Sequence, residues 1–175
     1  MATARVYNVD CNSANGISIG TGGVSGTEYV LMFGGTGAGV EFNISAIRIS
    51  LFSQANAAYP TNGSITFRLR PVSGANVTVL AGTGTATSIS QSATAASSTW
   101  IFSTANGSGT GTFASMTSSP KWQMTIPCTA GANWGEWMTP GFEINTTNST
   151  LALTYQMNNG TVASVNVVPE LVISE

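Results

Sequence analysis

The chain has 175 residues, a size that fits one domain able to bury roughly two-thirds of the surface that its unfolded chain exposes. Only 7% of the residues are charged, hydrophobic residues make up 42%, and the net charge is −2, so the chain does not combine the high charge and low hydrophobicity of a disordered protein. Five basic residues are too few to neutralise a run of phosphates, so we expect neither nucleic acid nor a membrane surface as a partner.

The residue types favour strands and turns over helices. Gly, Ser, Thr, Asn and Ala are abundant, whereas the strong helix formers Lys, Glu and Arg are scarce. Short runs of alternating polarity recur between turn residues, and no convincing amphipathic helix is present. The sequence therefore predicts an all-β protein, an antiparallel β-sandwich of jelly-roll type with about ten short strands and little or no helix.

In chain order, the first short strand is predicted at Val6 to Val9, and turn-rich sequence follows apart from Ile17 to Ile19. We accordingly divide the chain into an N-terminal strand and possible arm, residues 1–26, and a single β-sandwich domain, residues 27–175. A strand at Glu28 to Phe33 comes next.

The glycine-rich run Gly34 to Gly39 follows that strand. It lacks the Lys-Ser/Thr ending and the following helix of a phosphate-binding loop, so it is interpreted as a flexible turn. Beyond it, Ile44 and Ile47 belong to two apolar sets of opposite parity. This change of side predicts a β-bulge or a bend near Ser45 and Ala46.

The segment Ser64 to Arg70 is the clearest amphipathic strand, with Pro71 predicted to end it and Val77 to Val79 as its partner. Its inward residues are Ile65, Phe67 and Leu69, and its outward residues are Thr66, Arg68 and Arg70. Small and polar residues fill Ala81 to Thr99 and Asn106 to Thr112, which are interpreted as long loops or edge strands and as possible contact surfaces.

Short strands are predicted at Trp100 to Phe102, at Trp122 to Ile126, and, after a loop from Cys128 to Gly135, at Glu136 to Met138 and Phe142 to Asn145.

The region Leu151 to Val168 is predicted to form a β-hairpin. Leu151, Leu153, Tyr155 and Met157 alternate with polar or small residues, and Asn158 to Gly160 resembles a type I turn followed by a bulge glycine. A three-residue loop would place Leu153 opposite Val165 and Leu151 opposite Val167, which gives one apolar face. A last alternation follows Pro169, at Leu171 and Ile173.

Catalytic and metal-binding sets are not recognisable. The chain has no His, one Asp and one Lys, so a Ser-His-Asp triad is excluded, and no Cys/His cluster or Asp-rich loop suggests a metal. Glu136 and Glu143 are a carboxylate pair of the kind that cleaves glycosidic bonds, although two glutamates on solvated strand ends explain them more simply. We expect no enzyme activity and no cofactor. Cys11 and Cys128 are interpreted as buried free thiols rather than as a disulfide framework.

The most distinctive local feature is Asn133 to Trp137, which contains Trp134, Glu136 and Trp137. Trp rings beside polar groups can stack on sugars, so these three residues are a candidate glycan or partner contact. The alternative, which we favour, is that the tryptophans close one end of the core or a subunit contact.

Met1 to Tyr7 lacks the basic region and long apolar run of a secretory signal, although the small polar surface is of an exported type. The all-β plan, Met start, small-residue loops and sparse charge resemble the head-decoration or cement proteins of tailed phages, in general character rather than in any motif. The resemblance implies a virion protein made in the host cytoplasm that binds the major capsid protein of a phage shell and reinforces it.

The resemblance also implies a homo-oligomer, with a trimer as the first expectation and contacts through Val6 to Val9 or Ala81 to Thr99. Two alternatives stay open. One is a carbohydrate- or receptor-binding β-sandwich module, on a phage fibre or a secreted enzyme, and the other is a self-assembling shell subunit.

Overall fold

The computed structural model describes residues 5–10, 16–19, 28–35, 41–53, 63–72, 83–88, 99–102, 119–128, 134–138, 144–147, 150–158 and 165–175. Within these ranges the chain forms twelve strands and no helix, and every strand pairing is antiparallel, so the predicted all-β class is confirmed. The strands are β1 Val6–Asp10, β2 Ile17–Ile19, β3 Glu28–Gly35, β4 Glu41–Ser53, β5 Gly63–Val72, β6 Thr83–Ser88, β7 Thr99–Phe102, β8 Trp122–Cys128, β9 Trp134–Met138, β10 Ile144–Thr147, β11 Thr150–Asn158 and β12 Val165–Ser174. The described residues contain no helix long and apolar enough to cross a bilayer.

The strands form two groups that are joined by β6. In the first sheet, β4 is followed by β12, β1 and β6, with β9 and β10 on the free side of β4 and β2 beside the start of β12. In the second sheet the order is β7, β3, β11, β5 and β8. Strand β6 pairs with β1 through residues 85–88 and with β7 through residues 83 and 84, so it connects both sheets along one side.

A single hydrophobic cluster contains residues from both sheets. The first sheet contributes Tyr7, Val9, Ile17, Ile44, Ile47, Ile49, Leu51, Val165, Val167, Leu171 and Ile173, and the second contributes Tyr29, Leu31, Met32, Ile65, Phe67, Leu69, Trp100, Ile126, Leu151, Leu153, Tyr155 and Met157. The inward set predicted for β5 is confirmed, because Ile65, Phe67 and Leu69 are all fully buried.

The β-bulge predicted near Ser45 is confirmed. The register between β4 and β12 shifts at this point, because Val172 pairs with Ala46 and the next residue, Ile173, pairs with Ile44. Ser45 is the extra residue, and its hydroxyl donates to the carbonyl of Val172 over 3.2 Å. The bulge returns both Ile44 and Ile47 to the core, which explains the change of parity in the sequence.

The predicted hairpin between Leu151 and Val168 is wrong. Strand β11 pairs with β3 and β5 in the second sheet, whereas β12 pairs with β1, β2 and β4 in the first. Leu153 lies opposite Met32 and Leu69 instead of Val165. Asn158 belongs to β11 and pairs with Ser64, so it is not a turn residue, and Gly160 lies outside the described residues.

Two prolines lie inside strands that they were expected to end or interrupt. Strand β5 continues through Pro71 to Val72, and β12 runs through Pro169 without a break. On one side of β12, β2 pairs with residues 165–167 and β1 with residues 170–174, so Pro169 lies at the gap between these two neighbours. A missing N–H is tolerated there, because no described strand on that side needs it.

The first strand lies inside the sheet. Strand β1 pairs with β12 on one side and with β6 on the other, and Tyr7 and Val9 are buried. Residues 6–10 are therefore part of the sheet, and a contact through Val6 to Val9 cannot use a free strand edge. The domain boundary at residue 26 stays a prediction.

Other predictions fall where the chain is partly or wholly outside the described ranges. The flexible turn predicted for Gly34 to Gly39 is wrong at Gly34 and Gly35, which belong to β3 and pair on both sides. Residues 83–88, expected to be a long loop or an edge strand, form β6, which pairs with β1 and β7, and Trp100 to Phe102 lie in β7 as predicted. The expected segments Val77 to Val79 and Asn106 to Thr112 lie outside the described residues, as does Cys11.

We expect Gly34→Ala to destabilise the protein by about 1 to 3 kcal/mol, the usual cost of overpacking a core. Gly34 lies opposite Trp100 in the β3–β7 pair, and a Cβ at position 34 would stand 2.2 Å from the indole ring. Trp100 is 2% exposed and has no room to retreat. Urea unfolding of both proteins measures the difference; in the double variant Gly34→Ala/Trp100→Leu the cost of the alanine should fall. Equal cost in both backgrounds would contradict the contact.

We expect Tyr155→Phe to leave the free energy of unfolding unchanged or to raise it slightly. The Tyr155 ring stacks on Tyr29, with centroids 5.5 Å apart, but its buried hydroxyl has no hydrogen-bond partner among the described residues. Burial also raises the pKa of this hydroxyl. Removing an unsatisfied buried hydroxyl loses no bond and relieves a desolvation cost. Thermal unfolding checks this, and a loss above about 1 kcal/mol would show a missed bond.

Candidate functional site

The residues predicted as a glycan or partner contact lie in β9, at the edge of the first sheet. Strand β9 begins at Trp134, so Trp134 and Gly135 are strand residues and not the end of a loop. Trp134 pairs with Leu51 and Glu136 with Ile49, whereas Trp137 pairs with Arg48. Trp134 and Glu136 are therefore paired with residues that are buried, and Trp137 is paired with a charged residue. Glu143 lies outside the described residues.

Trp137 belongs to a row of residues that crosses the first sheet. Arg48 pairs with Glu170 on β12, and Glu170 pairs with Asp10 on β1. The Arg48 guanidinium donates to the Glu170 carboxylate and forms an ion pair with it, with side chains 37% and 11% exposed. Because Glu170 and Asp10 are like charges on neighbouring strands, Arg48 offsets their repulsion.

A second charged group lies on the second sheet, on the face away from the core. Its centre is Glu28 at the start of β3, and we call Glu28, Arg68 and Arg70 the Glu28 cluster. Arg70 donates to the Glu28 carboxylate through Nε at 2.7 Å and Nη2 at 3.1 Å, and Arg68 donates through Nη1 at 3.2 Å. The Thr154 hydroxyl also donates to Glu28. Three strands, β3, β5 and β11, thus meet at one carboxylate.

Arg68 extends the Glu28 cluster toward the edge of the sheet. Its Nε donates to Gln123 on β8 at 2.8 Å, and its Nη1 also donates to Gln156 on β11 at 2.7 Å. Gln123 pairs directly with Arg68 in the strand register, whereas Gln156 pairs with Thr66 and is a diagonal neighbour of Arg68.

A row of uncharged polar side chains continues this face. The hydroxyls of Thr66 and Thr125 are 2.9 Å apart, and the Asn158 side-chain amide donates to Thr66 at 2.6 Å and to Ser64 at 3.3 Å. Thr66 and Thr154 are buried although their parity is opposite to that of the core. The outer face of β5 is therefore an ordered hydrogen-bonded layer and not a row of independent solvated side chains.

The electrostatics of the Glu28 cluster hold its carboxylate in the charged form. Burial by itself raises the pKa of Glu28, but the hydrogen bonds from Arg70 and Thr154 and the charges of Arg70 and Arg68 outweigh burial, so the pKa lies below its ordinary value. A carboxylate with a lowered pKa that accepts four hydrogen bonds is a poor proton donor or acceptor at neutral pH. The arrangement suits structural cross-linking of strands better than acid–base chemistry.

The sequence identified the parts of this cluster but not their association. Arg68 and Arg70 were predicted to face outward on β5, and their parity in the strand confirms this. The side chains are nevertheless mostly buried, with Arg68 16% exposed and Arg70 12% exposed. No role was predicted for Glu28, because a single acidic residue at the start of a strand matches no local sequence pattern. Only the order β3, β11, β5 brings it within reach of the arginines.

We expect acid to remove part of the stability through Glu28. Because the folded-state pKa is lowered, the stabilisation is complete above the unfolded value of about 4.3 and is lost as the pH falls through the lower folded value. Urea unfolding at pH 7, 4 and 3 measures the loss. The Glu28→Gln variant should show a shallower pH dependence below pH 4.3; identical slopes in the two proteins would contradict the assignment.

Comparison with known proteins gives no assignment. No family model and no curated protein matches the chain. Among solved structures, one similarity is to the crystal structure of the infectious bursal disease virus VP2 subviral particle, at 10% identity and a TM-score of 0.20, covering 98% of this chain and 41% of that one. The chain thus spans less than half the length of that protein, and a TM-score this low carries no argument. The described residues contain no group of three or more His, Cys, Asp or Glu placed to hold a metal ion.

Proposed function

We propose that this protein is a non-enzymatic virion structural protein, a capsid decoration or cement protein that binds the outside of a phage shell and reinforces it. The observation that carries the proposal is the use of its few charges. Glu28, Arg48, Arg68, Arg70 and Glu170 all form ion pairs within the chain. A chain with few charged residues, several of which are already paired internally, can be covered by other subunits with little desolvation of ions.

The order of the strands supports a jelly-roll sandwich, which we propose as the architecture. Strands β1 and β12 pair, β3 and β11 pair inside them, and β4 with β9 and β5 with β8 complete a nested series. A long antiparallel ribbon that rolls up gives this nesting, and the additional pairs β12–β4 and β11–β5 close the roll into two sheets. Jelly rolls occur in viral capsid proteins and in lectins, so the architecture is compatible with more than one function.

Binding would stabilise a shell by mass action. A protein that binds the closed shell and not its opened form adds free energy at every occupied site, by an amount that depends on its concentration relative to its dissociation constant. No reaction is required of the protein, only an adhesive surface that survives outside the cell. The paired charges and the single core described above provide rigidity for this role.

Sedimentation of particles tests the proposal. Virions from cells that carry this gene are banded on a density gradient, and the protein is detected with an antibody. We expect it to band with filled heads and, after removal by mild denaturant, to return to the stripped heads and raise their melting temperature. Absence from the particle band, or no rebinding, would overturn the decoration function.

A carbohydrate- or receptor-binding module is the second candidate, and the position of Trp137 favours it. The register places Trp137 beside Arg48, whose neighbour on the other side is Glu170, and an aromatic residue in a row with charged hydrogen-bonding groups is a common sugar-binding combination. Quenching of tryptophan fluorescence by bacterial cell-surface glycans, lost in Trp137→Ala and kept in Trp134→Ala, would support it over decoration. A self-assembling shell subunit, the third candidate, would instead form particles when purified alone.

A further inference from the structure

Strand β8 is the last strand of the second sheet. In the described part of the chain it pairs with β5 on one side and with nothing on the other. A strand edge of this kind presents a row of backbone N–H and C=O groups, which is a template for another strand. We asked whether the surrounding structure protects this edge or prepares it for contact.

The edge is held in a fixed position. Ile126 is buried, and Trp122 and Met124 are partly buried against the hydrophobic cluster. On the opposite face, Gln123 accepts from Arg68 and Thr125 exchanges a hydrogen bond with Thr66. Both faces of β8 are therefore anchored, which leaves its outer edge straight and ordered before any partner arrives, so little ordering entropy is lost on binding.

The edge also lacks the usual protection. Natural edge strands carry inward charges, prolines or bulges that prevent pairing with another chain. Residues 122–126 contain no charge and no proline, and the β5–β8 register is uninterrupted from Cys128 to Trp122. Pro120 and Lys121 come just before β8, and Pro127 lies inside β8 one residue before its end, so the unprotected part of the edge is the stretch from Trp122 to Ile126.

We propose that β8 pairs with β8 of a second copy of this chain, antiparallel about a two-fold axis at Met124. This register places Met124 opposite Met124 of the second copy, Trp122 opposite Ile126, and Gln123 opposite Thr125. The apolar residues at the margin of each core then meet, the polar face stays polar, and Lys121 lies opposite Pro127 rather than another charge. The second sheet becomes continuous across two subunits. This contact goes beyond the decoration role and does not depend on it.

Several features favour a second copy over an unrelated extended segment. Every residue from 121 to 127 finds a compatible neighbour in a register centred on Met124, and no like charges meet. In this register the partly buried Met124 packs against Met124 of the second copy and the partly buried Trp122 against Ile126 of the second copy. An isologous contact of this kind closes on itself and stops at two subunits, so it adds no free edge to the assembly.

A matched pair of charge variants tests the register. In Gln123→Lys/Thr125→Lys, two lysines oppose each other on both sides of the axis, whereas in Gln123→Lys/Thr125→Glu each lysine opposes a glutamate. Both variants lose the same bonds to Arg68 and Thr66, so their monomers are matched. We expect sedimentation equilibrium of the purified protein to give a dimer, with the Lys/Lys variant dissociating at roughly tenfold lower affinity than the Lys/Glu variant. Three outcomes would overturn the proposal: equal affinities of the two variants, a monomer of the unchanged chain at about 100 micromolar, or a trimer that is insensitive to both variants.

A cysteine cross-link gives a second readout that does not rely on charge. With Cys11→Ser/Cys128→Ser as background, Met124→Cys should form an intermolecular disulfide under mild oxidation, because directly opposed Cα atoms of antiparallel strands lie about 4.5 to 5.5 Å apart. Lys121→Cys is the control, since the proposed register separates its two copies by about 20 Å. Cross-linking at both positions or at neither, with folding intact by circular dichroism, would contradict the two-fold contact. Particle sedimentation reports separately on the decoration role.

Discussion

Replacing Phe67 with alanine is expected to lower the free energy of unfolding by about 3 to 5 kcal/mol, the usual cost of deleting a large buried ring. Phe67 is fully buried at the middle of β5, where it pairs with Tyr155 on β11 and Met124 on β8. Neighbouring backbones are fixed by the sheet, so the cavity cannot collapse easily. A loss of this size is a large part of the 5 to 15 kcal/mol that stabilises an ordinary domain.

Urea unfolding followed by tryptophan fluorescence measures this effect. Phe67→Leu is the matched variant, because it keeps an apolar side chain and should lose about half as much or less. Lys121→Ala, an exposed change on the same sheet, should stay within about 0.5 kcal/mol of the unchanged protein. Equal stability of Phe67→Ala and Lys121→Ala would mean that Phe67 is not in the core.

Replacing Glu28 with glutamine is expected to cost about 2 to 4 kcal/mol at pH 7, somewhat below the usual penalty for leaving a fully buried charge unpaired. The substitution keeps the shape of the side chain but removes the one negative charge between Arg68 and Arg70. Both guanidiniums are more than four-fifths buried and would face each other without a counter-ion. Residual exposure and the bonds of Arg68 to Gln123 and Gln156 moderate the loss.

A double-mutant cycle separates charge from packing. If the arginine charge causes the loss, then adding Arg70→Gln to Glu28→Gln should recover part of the stability, and the two changes should be coupled by more than about 0.5 kcal/mol. Additive effects would show that Glu28 acts only through its volume. The same variants at 0.5 M salt should differ little from those at low salt, because buried pairs are weakly screened.

The sequence predicts which side of each strand is buried much better than it predicts which strands are neighbours. Alternation in β5 placed Phe67 in the core, and the parity change at Ser45 located a bulge that shifts the register by one residue. Both signals are local. The hairpin at Leu151 failed because β11 and β12 each bury one face in the same hydrophobic cluster, and that alternation does not show whether two strands are hydrogen-bonded to each other or to other strands. A turn-like sequence such as Asn158 to Gly160 does not distinguish these cases.

The candidate sites show the same limit. Trp134 and Trp137 are three positions apart in one strand, so they have opposite parity once β9 is known to begin at Trp134. The sequence predicted a loop that ends at Gly135, so this difference in parity was not predicted. Glu28 and Arg70 are distant in sequence and meet only because β11 lies between β3 and β5, so no local pattern could have paired them. Interactions that depend on strand order can be predicted only when the topology of the sheet is known.

The pairing of β1 with β12 determines when the protein can finish folding. Tyr7 lies opposite Ile173, so β1 is synthesised long before the strand that completes its ladder on this side. Its other neighbour, β6, is made between the two and is itself shared between two sheets. Folding dominated by such distant contacts takes on the order of milliseconds to seconds, far longer than closing a local hairpin. Until β12 has been made, the edge of β1 that pairs with it stays open, and unpaired strand edges make a folding chain prone to aggregate.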